Sequence, residues 1–267
     1  MKRKGNVTKS KIFIVSFIMA LVNGCFNLYD LKQFMVCFPN IEVSFNDFYV
    51  KTLGYLDIYS IKHVYPVIIW IFPIIILGYF LSDYMIFDIK TRGSIIFTRT
   101  EKRGQWFLHR TLDISGYIAL FYIIYSITEV AIGRIFIEKV DLFFVFSLTL
   151  LNFLFAFGTI FLVNVMSLFI NSQYAFWGLL TLYMMNVLHA GFIVESPDMN
   201  LNIIRYMPAA SGIFIWHESK LLKAGGMFEN TIYLEGFLLQ ESIIALIILV
   251  VLTYILGRFK IVKKDIL

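Results

Sequence analysis

The sequence has few charged residues for its length. Asp, Glu, Lys and Arg make up only 15% of its 267 residues, whereas they make up about a quarter of a typical soluble domain. Hydrophobic residues account for 59%, and the mean hydropathy is +0.78. A water-soluble fold could not bury that much apolar surface. The composition therefore excludes a soluble domain and predicts one all-α membrane domain over residues 1–267.

Cysteine is also scarce, and known catalytic motifs are missing. Cys25 and Cys37 are the only two cysteines, which excludes a disulfide framework but leaves a single bridge between them open. There is no H-E-x-x-H pattern and no G-x-x-x-x-G-K-[ST] nucleotide-binding loop. We therefore expect no catalytic residue, no metal site and no bound cofactor in this chain, and an intramembrane enzyme is the least favoured class.

Six apolar segments approach the roughly 20 residues needed to cross about 30 Å of hydrocarbon. They are residues 12–29, 63–82, 112–137, 142–170, 175–194 and 236–256. The fourth and fifth belong to one run, 142–194, that contains no Asp, Glu, Lys or Arg. This run is too long for one crossing, so we predict a hairpin that turns at Asn171, Ser172 and Gln173.

The distribution of basic residues predicts the orientation of the six helices. Fifteen of the 23 Lys and Arg residues precede the first span, separate the second from the third, or follow the sixth. The positive-inside rule then places both termini in the cytoplasm. The same rule and anionic lipid headgroups account for the net charge of +5, so we expect membrane lipids as partners and no nucleic acid.

Two spans contain an acidic residue. Glu129 belongs to the third span, and counting along that helix places it near the outer headgroups. We therefore expect it to pair with Arg134 or to be hydrated, rather than to relay protons. Glu241 lies near the outer end of the sixth span and is interpreted in the same way.

Three of the segments between the spans are long, and two of these carry the functional argument. Residues 88–110 combine six basic residues with apolar and aromatic ones; they predict either an amphipathic helix on the inner face or a basic loop anchored by aromatics. Residues 30–62 and 195–235 are the outer segments. Within the second, residues 202–222 are too apolar for a free loop, so we predict a re-entrant or interfacial helix pair, broken near Pro208 and Gly212.

This layout resembles the permease subunits of type-2 ABC exporters, in particular small bacterial ones associated with peptide export or with immunity to antimicrobial peptides. The resemblance is architectural and covers nearly the whole chain. It rests on six spans with both ends inside, the basic segment 88–110, the turn at 171–173 and the partly apolar outer segment before the last span. It implies a multi-pass protein of the bacterial cell membrane that exports or expels a hydrophobic or amphipathic cargo, a peptide or a lipid-like molecule.

The resemblance also implies partners. Segment 88–110 would contain a coupling helix that docks on a separate ATPase subunit, which binds ATP and Mg, and a second permease chain, identical or related, would complete the transporter. The residues expected to contact the ATPase are Arg99, Thr100, Glu101, Arg103 and Trp106. The residues expected to cap the path on the outer side are Pro208, Ser211, Gly212 and Trp216.

Two further points are left open by the sequence. The chain could be a non-transporting membrane scaffold or sensor, which would have no ATPase partner. In a permease, an aromatic stripe could line the cargo route, although ordinary lipid-facing and inter-helix packing is the favoured explanation for any single member. The members of this stripe are Phe153, Phe155, Phe157, Trp177 and Tyr183.

Overall fold

The computed structural model of the chain is helical throughout the part it describes. That part comprises residues 2–41, 43–53, 55–58, 61, 64–99, 103–135, 139–196, 201–218, 228 and 233–263, without the side chains of 2–8, 92, 94–99 and 263. No β-strand occurs among these residues, and one isolated bridge joins Glu218 to Leu238.

Eight α-helices and three short 3-10 turns are found in the described residues. The helices are α1 (Lys2–Cys37), α2 (Phe45–Leu53), α3 (Val64–Leu81), α4 (Tyr84–Arg99), α5 (Arg103–Gly133), α6 (Leu142–Met166), α7 (Ser172–Glu195) and α8 (Leu239–Lys263). The 3-10 turns are Leu201–Tyr206, Ala210–Gly212 and Phe214–Trp216.

Six stretches are long and apolar enough to cross a membrane. They are Lys9–Cys37, Val64–Thr91, Arg103–Gly133, Leu142–Met166, Ser172–Glu195 and Leu239–Val262. The uncharged run 142–194 forms two of them, α6 and α7, and the Asn171 carboxamide caps the second by accepting a hydrogen bond from the Gln173 amide at 2.9 Å. The chain is thus built as a multi-pass membrane protein.

The helix directions place the start of α1 and the end of α8 on one side of the bundle. Helices α1 and α5 run in parallel, because the Ser16 hydroxyl donates to the Phe121 carbonyl (2.6 Å) and the Asn23 amide donates to the Tyr125 hydroxyl (2.6 Å). At the start of α5, Arg103 donates to the Val262 carbonyl near the end of α8 (3.5 Å). We call this side the basic face and the opposite side, where α2 lies, the α2 face.

Helix α6 is the centre of the bundle. It packs against α2, α3, α5, α7 and α8, and 61% of its most apolar stretch is buried, against 22% for α8. Because α6 carries no charged residue, it can be enclosed on all sides without the cost of desolvating a charge. Helices α1 and α8 lie at the rim and expose most of their apolar residues, as expected for helices that face lipid.

Both cysteines lie on α1, are exposed and are free. Twelve positions on one helix separate Cys25 from Cys37 by about 18 Å, well beyond the reach of a disulfide. The bridge that the sequence left open is therefore absent from this fold.

Candidate functional site

The first element of the candidate site is the joint between α3 and α4. Helix α3 ends at Leu81 and α4 begins at Tyr84, and helix ends leave backbone groups without intrahelical partners. Asn164 of α6, which is fully buried, supplies hydrogen-bond partners for these backbone groups. Its Nδ2 donates to the Leu81 carbonyl at 2.7 Å, and its Oδ1 accepts from the Met85 amide at 3.0 Å. One amide side chain thus holds both halves of the joint.

The second element ties α4 to α5 through an ion pair. The Arg110 Nε donates to the Asp88 carboxylate at 2.9 Å, and the Trp106 indole donates to the same oxygen at 3.0 Å. Arg110 also donates to Asp113 at 2.8 Å, and the Tyr84 hydroxyl donates to that carboxylate at 3.1 Å. We call these five residues the elbow cluster. The side chains of Arg110 and Asp88 are only 18% and 13% exposed, so breaking the pair would leave a charge largely desolvated.

These contacts fix the start of α4 while its other end extends away from them, and we call this helix the lever arm. Its first turn is held to α6 by Asn164 and to α5 by the elbow cluster. A force on the far end of α4, toward Arg99, would therefore reach α3, α5 and α6 together. The described part of segment 88–110 is helical, which favours the amphipathic-helix interpretation over the basic loop.

The residues predicted to contact an ATPase lie at the far end of this arm and just beyond it. Arg99 is the last residue of α4, and Thr100 and Glu101 lie outside the described residues. Arg103 begins α5 and donates to Val262 near the end of α8, where a cation also suits the helix dipole. Trp106 is half-buried and its indole N–H donates to Asp88, so this N–H is not available to a partner.

Sequence reasoning did not find Asn164 or the elbow cluster. Asn164 is one of a few polar residues in the apolar run of α6, which signals a polar contact without identifying its partner. Asp88 and Arg110 bound the predicted segment at its two ends, and their opposite charges were the available signal for the pairing.

On the α2 face, a third element of the candidate site is formed by residues 209–217, which we call the plug. All nine residues are buried. The Trp70 indole of α3 donates to the Gly212 carbonyl at 3.3 Å, and the Trp216 indole donates to the Leu56 carbonyl at 2.8 Å. The plug is therefore bonded to α3 and to the segment after α2.

The plug differs in form from the predicted helix pair. Its residues form short 3-10 turns, with Pro208 exposed at the first break and Ser211, Gly212 and Trp216 buried. Gly212 packs against Phe155 of α6, about 20 Å along the helix from its first residue. The plug thus reaches well into the bundle, which explains why this stretch is too apolar for a free loop.

The close packing at Gly212 gives a first testable prediction. A Cβ at this position would lie 2.5 to 2.7 Å from three ring atoms of Phe155, and the ring is held by Trp70 and Tyr183. We expect Gly212→Ala to lower the free energy of unfolding by about 1–3 kcal/mol, measured by thermal unfolding in detergent. Gly178→Ala is the control, because a Cβ there meets nothing within 4 Å. Equal stability of the two variants would contradict the packing.

His217 connects the plug to α8. Its Nδ1 faces the Phe214 carbonyl at 3.1 Å and must donate to it, so Nε2 accepts from the Ser242 hydroxyl at 2.7 Å. The ring stacks on Phe237 with centroids 4.1 Å apart. Burial lowers the pKa of His217 to about 4. The imidazole is therefore neutral at ordinary pH and both of its nitrogens are satisfied.

Helix α2 is anchored by a buried polar cluster. The Tyr49 hydroxyl donates to Ser126 of α5 at 2.7 Å and lies 2.8 Å from the Thr149 hydroxyl of α6. The Asn23 amide of α1 donates to the Thr52 carbonyl at 2.8 Å. The outer segment 30–62 therefore includes a helix that is packed into the bundle.

The expectation for Glu129 is wrong. Its side chain is fully buried, and neither carboxyl oxygen has a hydrogen-bond partner among the described residues. It lies against Gly24 of α1, whereas Arg134 is exposed. Glu129 lies close to the end of α5 at Gly133, but counting along one helix could not show that α1 covers it, since Gly24 is distant in sequence.

The aromatic stripe does not form one surface. Phe155, Phe157 and Tyr183 are buried in the bundle, while Trp177 is 58% exposed. Among the residues with described positions, no group of three or more His, Cys, Asp or Glu side chains could hold a metal ion.

Comparison with known proteins places the chain in a family. A family model described as "Protein of unknown function (DUF2705)" matches residues 13–267. No curated protein and no solved structure matches the chain. The match covers nearly the whole sequence, including α3, α4 and the plug. The chain therefore belongs to the DUF2705 family.

Proposed function

We propose that this chain is the membrane-spanning subunit of an ATP-driven ABC exporter in a bacterial cell membrane. It would export or expel a hydrophobic or amphipathic cargo, such as a peptide or a lipid-like molecule. A separate ATPase subunit would bind ATP and Mg and hydrolyse the nucleotide. The observation that carries the proposal is the lever arm, whose start is fixed to α6 by Asn164 and to α5 by Arg110.

The lever arm has the properties that a coupling element needs. It continues the second span beyond its joint, so movement of its far end must tilt or strain that span. The joint is closed by hydrogen bonds to a buried side chain instead of to water, which makes it stiff. An ATPase that closes on ATP and pushes the region around Arg99 and Arg103 would thereby reshape the space between the helices.

The orientation of the chain is part of the same proposal. The charge bias of the sequence assigns the basic face, with both termini, to the cytoplasm, where an ATPase subunit would be. The plug, on the α2 face, then caps the bundle on the outer side as a re-entrant segment. A second permease chain, a copy of this one or a relative, would face it, and the cargo route would run between the two.

The proposal is tested by capture of the ATPase. We expect the chain, purified in mild detergent, to retain an ABC ATPase that carries G-x-x-x-x-G-K-[ST]. Arg103→Glu should lower that capture roughly tenfold, because it replaces a cation with an anion at the contact. Capture is measured by co-purification with a tagged ATPase at fixed salt concentration.

Arg134→Glu serves as the control, since it makes the same change of charge on an exposed residue at the α2 face. Equal capture by both variants would refute the assignment of Arg103. If the wild-type chain captures no ATPase, the exporter is refuted and the alternative, a non-transporting scaffold or sensor, is favoured.

A further inference from the structure

A cleft of about 610 Å³ lies between α1 and α3. Its walls are mostly apolar and come from the two helices that flank it; they include Val15, Ile18, Val22, Ile69, Phe72 and Ile76. Several of these wall residues are exposed at the surface of the bundle. The cleft therefore opens sideways, toward the space that lipid occupies around a membrane protein.

One end of the cleft is polar. Helix α2 contributes Lys51 and Thr52 there, and Asn23 and Tyr125 lie behind them. Asn23 and Tyr125 already donate to the Thr52 carbonyl. Lys51 forms an ion pair with Asp30 of α1, whose side chain is 51% exposed. Lys51 lines the cleft, whereas Asp30 lies one turn beyond Phe26, the last lining residue of α1. A positive group within the polar end is thus paired with a negative group beside it.

The length of the cleft matches one leaflet of a bilayer. Its α3 wall runs from Tyr65, beside the first residue of α3, to Ile76, which is about 16 Å at 1.5 Å per residue. That is about half of the roughly 30 Å hydrocarbon core. The polar end lies on the α2 face, where the spans end, so a lipid of that leaflet could place a chain in the cleft and keep its headgroup at the surface.

We propose that this cleft binds one acyl chain of a zwitterionic phospholipid, with the headgroup phosphate at Lys51 and the headgroup amine at Asp30. The two headgroup charges complement the ion pair at the polar end. An anionic headgroup would also meet Lys51 but would face Asp30 without compensation. The site needs no ATPase, so lipid binding can be tested independently of the exporter proposal.

The binding test uses the purified full chain and defined lipids. Dioleoyl phosphatidylethanolamine and dioleoyl phosphatidylglycerol share their acyl chains and differ in headgroup charge. In an equimolar mixture in detergent, with retained lipid counted by native mass spectrometry, we expect at least a threefold excess of bound phosphatidylethanolamine. Equal retention, or an excess of phosphatidylglycerol, would overturn the headgroup assignment.

A pair of tryptophan variants locates the bound chain. Val22→Trp fills the cleft, whereas Ile247→Trp adds the same ring to the exposed face of α8. We expect at least a fivefold loss of retained lipid in the first and none in the second. Should Val22→Trp fail to give a monodisperse protein, Ile69→Trp fills the same cleft from α3. Normal retention in a folded cleft variant would overturn the site.

A headgroup variant completes the test. Asp30→Asn removes the negative member of the pair and keeps its shape. It should abolish the preference for phosphatidylethanolamine while leaving total lipid retention intact. A preference that survives this change would show that Asp30 does not bind the amine.

Discussion

Replacement of Asn164 by alanine is expected to destabilise the protein by about 2–6 kcal/mol. The change leaves the Leu81 carbonyl and the Met85 amide without their partner, and each buried unsatisfied group costs about 1–3 kcal/mol. Water cannot replace the side chain, because Asn164 is fully buried. Thermal unfolding in detergent measures the loss.

Asn186 provides the matched control for this experiment. It is also an asparagine within a helix, but it is only half-buried, and its Nδ2 donates to the carbonyl of Leu182 one turn earlier in its own helix. Asn186→Ala should change the melting temperature little. Asn164→Asp should not restore stability, since it keeps an acceptor for Met85 but places a desolvated carboxylate against the Leu81 carbonyl. Similar melting temperatures for all three variants would mean that Asn164 does not hold the joint.

The protein is expected to lose up to about 3 kcal/mol of stability to His217 alone when the pH falls from about 6.5 to about 4. Burial lowers the pKa of His217 to about 4 in the folded protein, against 6.5 when the side chain is exposed. Between these values the unfolded chain binds a proton that the folded chain does not. Acid therefore favours unfolding over this range. Above pH 6.5 His217 is neutral in both states, and none of this stability is lost.

The melting temperature measured from pH 7.5 to pH 4 tests this expectation. His217→Gln should flatten the profile between pH 6.5 and pH 4, although it starts from a lower stability because the contacts with Phe214 and Ser242 change. His109→Gln, at an exposed position on α5, should leave the profile as it is. An unchanged slope in His217→Gln would show that other groups cause the acid sensitivity.

The helices that span the membrane could be predicted because their signal is local. An apolar stretch needs no partner to be identified, and the uncharged run 142–194 requires a hairpin by its length alone. The contacts of the candidate site are not local. The Asp88–Arg110 pair forms only because the chain reverses between α4 and α5, and nothing in the composition of the segment shows which faces of the two helices meet.

The two errors on the α2 face have the same origin. Counting residues along one helix gives a depth in the membrane, but burial depends on the neighbouring helix. Glu129 is covered by α1 because Gly24 lets the two backbones approach each other. The plug likewise needs the space beside Phe155 that Gly212 leaves free. Hydropathy carries no information about such close approaches.

The central place of α6 sets how freely each helix can vary in sequence. The first turns of α6 expose Leu142, Phe143 and Phe146, but no residue from Ser147 to Met166 is exposed. A change of side-chain volume within 147–166 must therefore be absorbed by a neighbour. On α8, where most of the apolar stretch is exposed, one aliphatic residue can replace another, because lipid chains adapt to its shape. Exchanges among Ile, Leu and Val should therefore be tolerated along α8 and selected against along α6.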